Sequence, residues 1–412
     1  MSITLHPDEG SDPGRGLLWK AGQSSEQDAG AAGCRLPGRE NLHRFVVTPT
    51  AYIYICTRLT VRKARLIRPE QYMRLLNMNL SQITRFIGET EYQSEVNELA
   101  GSRSGIELIE AALTTNLART YRGIIAIAPG SLHELTSRYL ARWDIWNVML
   151  VLRSREFGIP DEQVRGVIIP AGGLSPERIE ALLSLRTTCE VVESLQGWEF
   201  HPVLAGFCSG GYHRGVFARV ENALYTSYYT ELYRDARSGI RGGDALLPYI
   251  RVEIDILNIR NLFRLRAGSR ESDIREFMVP GGTLDPGFFQ RVYRIEEREE
   301  FIEAMEEAGI MPVLLAAVRD LRCDESICES DAAALIWDRW ADRQTPLATM
   351  VMAVTRMRLH RLEQISRRHP FSVLAILTYL EHKRYEVMNL RAIARGKEFG
   401  LDAAEIRKYL VI

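Results

Sequence analysis

Lysine is nearly absent from this sequence. Lys20, Lys63, Lys383, Lys397 and Lys408 are the only lysines among 52 basic residues, so almost every positive charge is an arginine. Arginine suits planar, bidentate and interfacial ion pairs better than lysine does, although GC-rich coding would produce the same bias. A dominant charge is missing as well. The 52 basic and 53 acidic residues leave a formal net charge of −1, which offers nothing to a nucleic-acid backbone. Cysteine is sparse and scattered: Cys34, Cys56, Cys189, Cys208, Cys323 and Cys328 form neither a disulfide framework nor paired zinc knuckles. Cys323 and Cys328 make a lone C-x4-C with no second pair, so ordinary thiols in a reducing cytoplasm are expected. No apolar run reaches the roughly 18–20 residues that a membrane span needs. The longest candidate, FSVLAILTYL at 371–380, lies between RRH and EHKR and is expected to be a buried helix. Residues 1–20 have no apolar core and read as no signal peptide. Period-two alternation is scarce; CEVVESL is short and ambiguous.

Helical periodicity is abundant. In RPEQYMRLLNMNLSQITRFIGETEY, Tyr72, Leu75, Leu76, Leu80, Ile83, Phe86 and Ile87 recur at spacings of three and four and define one apolar face. Ile106, Ile109, Leu113 and Leu117 do the same further on. The fold class expected is all-α from residue 52 onward. Residues 1–51 are rich in Gly, Ser, Asp and Pro without apolar periodicity, and read as disordered or as an over-extended start.

Two stretches echo each other: VIIPAGGLSPERI at 167–179 and FMVPGGTLDPGFF at 277–289. In each, a proline (Pro170, Pro280) precedes a glycine pair (Gly172 and Gly173; Gly281 and Gly282), then a capping residue and a second proline. Ser175 with Pro176, and Asp285 with Pro286, supply a helix N-cap and first-turn proline. The glycines are expected to end the preceding helix at positive φ. No Walker lysine or dinucleotide fingerprint follows, so the loops read as punctuation rather than phosphate cradles. The segments upstream, at 143–170 and 254–280, match each other and the C-terminal segment 385–412. Asp144, Asp255 and Glu386 correspond, as do Asn147, Asn258 and Asn389, and Arg153, Arg264 and Arg395. Downstream segments opening at Pro69, Pro176 and Pro286 correspond too. The expectation is three helical units, 52–170, 171–282 and 283–412, with the prolines and glycines at their joints. The acid and the asparagine, three apart, share a helix face. The arginine lies on the opposite side, outward or in a seam.

Chemistry is harder to find. A single active site has no use for its carboxylate in triplicate, so the acid and asparagine are expected to satisfy backbone or side-chain partners on neighbouring helices. HELTS at 133–137 lacks the second His of a zinc helix. GFCSGGYHRG at 206–215 brings Cys208, Ser209 and His213 together, but no third group positions them. Tyr225, Tyr228, Tyr229 and Tyr233 at helical spacing are expected in the core, and the acidic run 295–309 on a solvated face.

The triplicated helix and the PAGGLSP and PGGTLDP joints resemble those of the C subunit of the archaeal A-type ATP synthases, the counterpart of the d subunit of the V-type ATPases. So do the opening YIYICTRLTVRKARLI (52–67) and the ending LRAIARGKEFGLDAAEIRKYLVI (390–412). The resemblance covers 52–412. It implies an all-helical, pseudo-threefold, funnel-shaped protein with no catalytic residues, cofactor or metal. Such a protein is peripheral to the cytoplasmic side of the membrane. Its implied partners are the proteolipid rotor ring and the central shaft, between which it carries torque so that ion translocation drives ATP synthesis. A generic helical scaffold or regulatory repeat protein, and an enzyme built on the 206–215 loop, are the competing readings.

Overall fold

The computed structural model describes residues 49–208, 216–239, 242–268, 274–322, 328–341 and 348–411. Every regular element among them is helical. The sequence 1–48, most of the 206–215 loop and Cys323 lie outside the described residues. In chain order come α1 (Pro49–Lys63), α2 (Pro69–Leu75), α3 (Leu80–Gly88), α4 (Gln93–Leu99), α5 (Gly105–Ile127), α6 (Gly130–Leu140), α7 (Arg142–Phe157) and α8 (Asp161–Arg165). After the first joint follow α9 (Pro176–Leu183), α10 (Thr188–Ser194), α11 (His201–Cys208), α12 (Phe217–Arg237) and α13 (Gly243–Gly268). A 3-10 turn at Ile274–Phe277 leads to the second joint. Beyond it lie α14 (Pro286–Arg294), α15 (Arg298–Glu307), α16 (Met311–Arg322), α17 (Glu329–Ala341), α18 (Ala348–Arg368), α19 (Val373–Glu398) and α20 (Ala403–Arg407).

Local chemistry sets many of these boundaries. The apolar face expected over residues 69–92 is broken in two. Asn79 caps α3, its side chain accepting from Gln82 N at 2.9 Å while Gln82 Oε1 accepts from Asn79 N at 3.0 Å. That reciprocal box is a stronger local signal than the continuing periodicity. Gly158, at φ +65°, ends α7 in the left-handed conformation that a helix C-terminus favours. Ser372 caps α19, accepting from Leu374 N at 3.2 Å.

Helices α7 and α19 carry buried residues on all sides rather than along one stripe. A helix apolar all round belongs in the middle of a protein, and both are surrounded. Helix α19 packs on α1, α5, α6, α13 and α18. The stretch 371–380 is therefore a buried helix start, as its charged flanks imply, although Phe371 itself is exposed. No described helix is long and apolar enough to cross a membrane. One large apolar core joins α1–α12 with the first half of α13, the end of α18, α19 along its length and α20, and a second lies among α13–α18. Of the four tyrosines of α12 expected in the core, Tyr228 and Tyr229 are buried and stack edge-on, 4.9 Å between centroids, whereas Tyr225 and Tyr233 are only half-buried.

Candidate functional site

The corresponding asparagines make the same pair of bonds in three places. Asn147 Nδ2 donates to Ile169 O at 2.7 Å, and its Oδ1 accepts from Ile169 N at 3.0 Å. Asn258 clasps Val279 in the same way, at 2.8 Å in both directions. Asn389 clasps Val411 at 2.7 and 2.8 Å. The clasped residue lies 22, 21 and 22 residues downstream. Pro170 and Pro280 follow directly on two of them. A residue before proline is pushed into extended backbone, which presents its N–H and C=O together to one carboxamide.

The acids hold the next few residues. Asp144 accepts from Gly173 N at 2.6 Å and Leu174 N at 3.0 Å. Asp255 accepts from Thr283 N and Leu284 N, both at 3.0 Å, and from the Thr283 hydroxyl. Glu386 accepts from Ile67 N at 2.6 Å, 319 residues earlier in the chain. Leu174, Leu284 and Ile67 each stand two residues before the prolines Pro176, Pro286 and Pro69 that open a helix. Glu386 also accepts from the Tyr92 hydroxyl at 2.6 Å and pairs with the fully buried Lys383 at 2.8 Å. Burial pushes Asp144 up to about 6, against the pull of the Leu174 and Gly173 amides. Burial also raises Asp255, opposed by its Thr283 and Leu284 donors.

The glycines act differently from the expectation. Only Gly281 has a positive φ, +100°; Gly172, Gly173 and Gly282 do not. A Cβ on Gly172 or Gly282 would sit inside the van der Waals shell of the Asp144 or Asp255 carboxylate. These two glycines let a short acid reach the loop backbone; they do not terminate a helix. Gly173 is less demanding, a Cβ there lying 3.4 Å from Asp144 Oδ2. Ser175 and Asp285 cap as expected, from Arg178 N at 3.2 Å and Gly287 N at 3.0 Å.

The arginines pair with glutamates of other helices. Arg153 donates to Glu221 at 2.6 Å, and Arg264 reaches the same carboxylate at 3.4 Å. Arg395 pairs with Glu110. Glu221 is disfavoured as a carboxylate by burial, yet Arg153, Arg260 and Arg264 together hold it below the usual range.

Sequence reasoning missed a buried charge cluster. Glu253 meets Arg142 at 2.9 Å and Arg358 at 3.0 Å. Glu381 meets Arg384 at 3.0 Å, Arg142 at 3.5 Å, and Arg358. Tyr139 Oη donates to Glu253 at 3.2 Å or to Glu381 at 3.1 Å. The cluster ties α6, α7, α13, α18 and α19 together. Its signal was present in the register: Arg142, Glu253 and Arg384 each stand two residues before the corresponding acid. Both carboxyls are depressed despite burial, Glu253 by Arg142 and Arg358, Glu381 by Arg358, Arg384 and Arg142.

His133 Nδ1 lies 3.0 Å from Ile125 O, and no cluster of metal-ligating side chains occurs among the described residues. The expected acids and asparagines thus act as internal clasps on the protein's own backbone, and the arginines pair with glutamate side chains. Fold and site define a helical protein whose recurrent polar residues fix the path of the chain. Residues 55–409 match the family model of the ATP synthase (C/AC39) subunit. The chain is 31% identical over 363 residues to the A-type ATP synthase C subunit of Archaeoglobus fulgidus, covering 88% of this chain and 96% of that protein. The C subunit of Methanosarcina barkeri is 35% identical, with 88% and 93% covered, and that of Haloferax volcanii 33%, with 87% and 97% covered. The chain belongs to the ATP synthase (C/AC39) subunit family.

Proposed function

We propose that this protein is the central-stalk rotor subunit of an A-type or V-type ATP synthase. It couples the proteolipid ring in the membrane to the central shaft, and ion translocation thereby drives ATP synthesis elsewhere in the complex. In this reading it is a non-catalytic subunit, without cofactor or metal, peripheral to the cytoplasmic side of the membrane. Its residues 52–170, 171–282 and 283–412 are three related units arranged about a pseudo-threefold axis in a funnel.

The observation that carries this reading is the bond from Glu386 to Ile67. Asp144 and Asp255 each hold the joint that opens the following unit. Glu386, in the last unit, accepts from Ile67 N just before the helix that opens at Pro69, which supports closure of the three units into a ring. A torque-bearing adapter must resist shear between its parts. Closing the ring removes the free edge at which such a stack would yield, and close-packed helices transmit strain with little compliance. In this reading the buried arginine–glutamate cluster, in which Arg142, Glu253 and Arg384 each stand two residues before one of the acids, would lie where the three units meet. Membership of the family supports the assignment to the complex.

Affinity purification of the tagged chain from native membranes tests it. Recovery of proteolipid and shaft subunits in rotor stoichiometry is expected. Recovery of neither, with soluble partners instead, would favour a general helical scaffold. Substituting Cys208 and His213 together leaves ATP-driven rotation intact if the 206–215 loop has no catalytic part.

A further inference from the structure

A cavity of about 450 Å³ opens beside the buried charge cluster. Its wall takes arginines from four helices: Arg142 of α7, Arg260 of α13, Arg358 of α18, and Arg384, Arg391 and Arg395 of α19. Glu253 is the only carboxylate on that wall among the described residues. The pairing behind the wall does not balance the charge. Glu253, Glu381, Glu221 and Glu110 are the carboxylates these six arginines reach, so four acids face six bases. Glu221 is shared with Arg153 and Arg264 besides.

Arg391 is the least compensated of the set. No carboxylate lies within 4 Å of it among the described residues; one guanidinium nitrogen donates to Thr114 Oγ1 at 2.5 Å, and its Nε has no acceptor. The indole N–H of Trp143, a buried wall residue, has none either. Burial and neighbouring Arg395 both depress the Arg391 guanidinium, with Glu110 opposing them. An anion placed in the cavity would reverse that balance. The rest of the wall mixes aliphatic side chains with the aromatic Trp146, Tyr225, Tyr229 and Tyr385, and Trp146 and Met388 are exposed. A volume of this size falls within the range of small-molecule sites. Converging guanidinium groups recognise phosphoryl oxygens through paired N–H donors.

From this cavity, its excess of arginine and its aromatic wall, we propose that the protein binds a phosphate-bearing small anion beside Arg391 and Arg260. Free polyphosphate and a nucleoside polyphosphate share this chemistry. The aromatic wall adds a stacking surface that only the second would use.

The test is calorimetric titration of the full chain with pyrophosphate, ATP and adenosine, at fixed ionic strength and chloride. Saturable binding of pyrophosphate and ATP is expected, and none of adenosine. Equal affinities identify the phosphoryl group as the ligand; tighter ATP identifies a nucleotide. Arg391→Met and the partly exposed Arg260→Met should each weaken binding about tenfold or more, the loss of one charge-assisted hydrogen bond. Thermal melts report whether each variant is folded. On the unaltered protein, pyrophosphate should protect Arg391, Arg260 and Arg395 from phenylglyoxal. Absence of saturable binding, binding that both folded variants retain in full, equal occupancy by chloride, or protection mapping to other arginines would each overturn the proposal. Recovery of rotor partners is measured separately, so either reading can fail alone.

Discussion

Two kinds of joint hold this chain, and they differ in how far the polypeptide travels between the bonded residues. At Asp144 and Asp255 the acceptor meets backbone amides 28 to 30 residues further on. At Glu386 the amide lies 319 residues back. The near joints use aspartate with a glycine, Gly172 or Gly282, tucked against the carboxylate. The far joint uses the longer glutamate, has Arg65 in the corresponding place before Pro69, and adds Lys383 and Tyr92. Where the loop folds back over the acid, the backbone comes close and only glycine fits. Where the backbone comes from a distant part of the chain, an extra methylene spans the gap and a buried ammonium balances the charge. The same hydrogen bond is reached by two geometries.

Breaking the far joint should have the largest effect. Glu386→Ala leaves Lys383 buried without its closest acid and strips Ile67 N and Tyr92 Oη of an acceptor. A loss of about 3–5 kcal/mol is expected by urea denaturation, with early protease sensitivity near residue 67. Equal cost for Asp144→Ala would abolish the distinction between the joints. The asparagines come next. Asn147→Ala, Asn258→Ala and Asn389→Ala each leave one buried N–H and one C=O unpaired, for about 2–4 kcal/mol apiece. Near-equal costs support the equivalence of the three sites; a neutral Asn389→Ala would remove the third from the scheme. Gly172→Ala and Gly282→Ala should cost about 1–3 kcal/mol by forcing the carboxylate away, and Gly173→Ala less. The cost of Gly172→Ala should shrink in an Asp144→Ala background, which a double-mutant cycle reads directly.

A pH dependence comes last, comparable in size to the Gly172 and Gly282 substitutions. Asp144 titrates near 6 in the folded protein, above its unfolded value near 4. The folded state therefore holds this proton more tightly. The group's contribution is greatest below the unfolded value and declines as pH rises from about 4 to about 6. Asp144→Asn should flatten that decline, by roughly 1–3 kcal/mol across the window. Melting temperatures measured at closely spaced pH values check it. Asp255 is shifted in the same direction.

Much of this was legible in residues. Helical periodicity identified the fold class, and the segment 254–280, one residue shorter than its matches 143–170 and 385–412, makes the shorter clasp, 21 residues against 22. The acid and the asparagine stood out because a three-residue spacing puts them on one helix face. The closure at Ile67 was not legible, since no local pattern says which distant amide a glutamate will meet. The glycines misled because their usual reason, positive φ, was assumed where close approach governs. Glu253 and Glu381 escaped because each looks like an ordinary surface charge until packing buries it. Only their neighbours in space, Arg142, Arg358 and Arg384, make them tolerable in the interior.

The far joint has a consequence for how this polypeptide can be cut. Asn389 holds Val411 and Glu386 holds Ile67, three residues apart on one face of α19. In the first joint the corresponding residues, Ile169 and Leu174, are joined by an unbroken backbone. Val411 and Ile67 are held side by side without being neighbours in sequence, since α1 precedes Ile67 and packs on α19. A backbone cut between Ile169 and Leu174 would turn the first joint into the same kind of contact, and Asn147 and Asp144 should keep the two fragments associated.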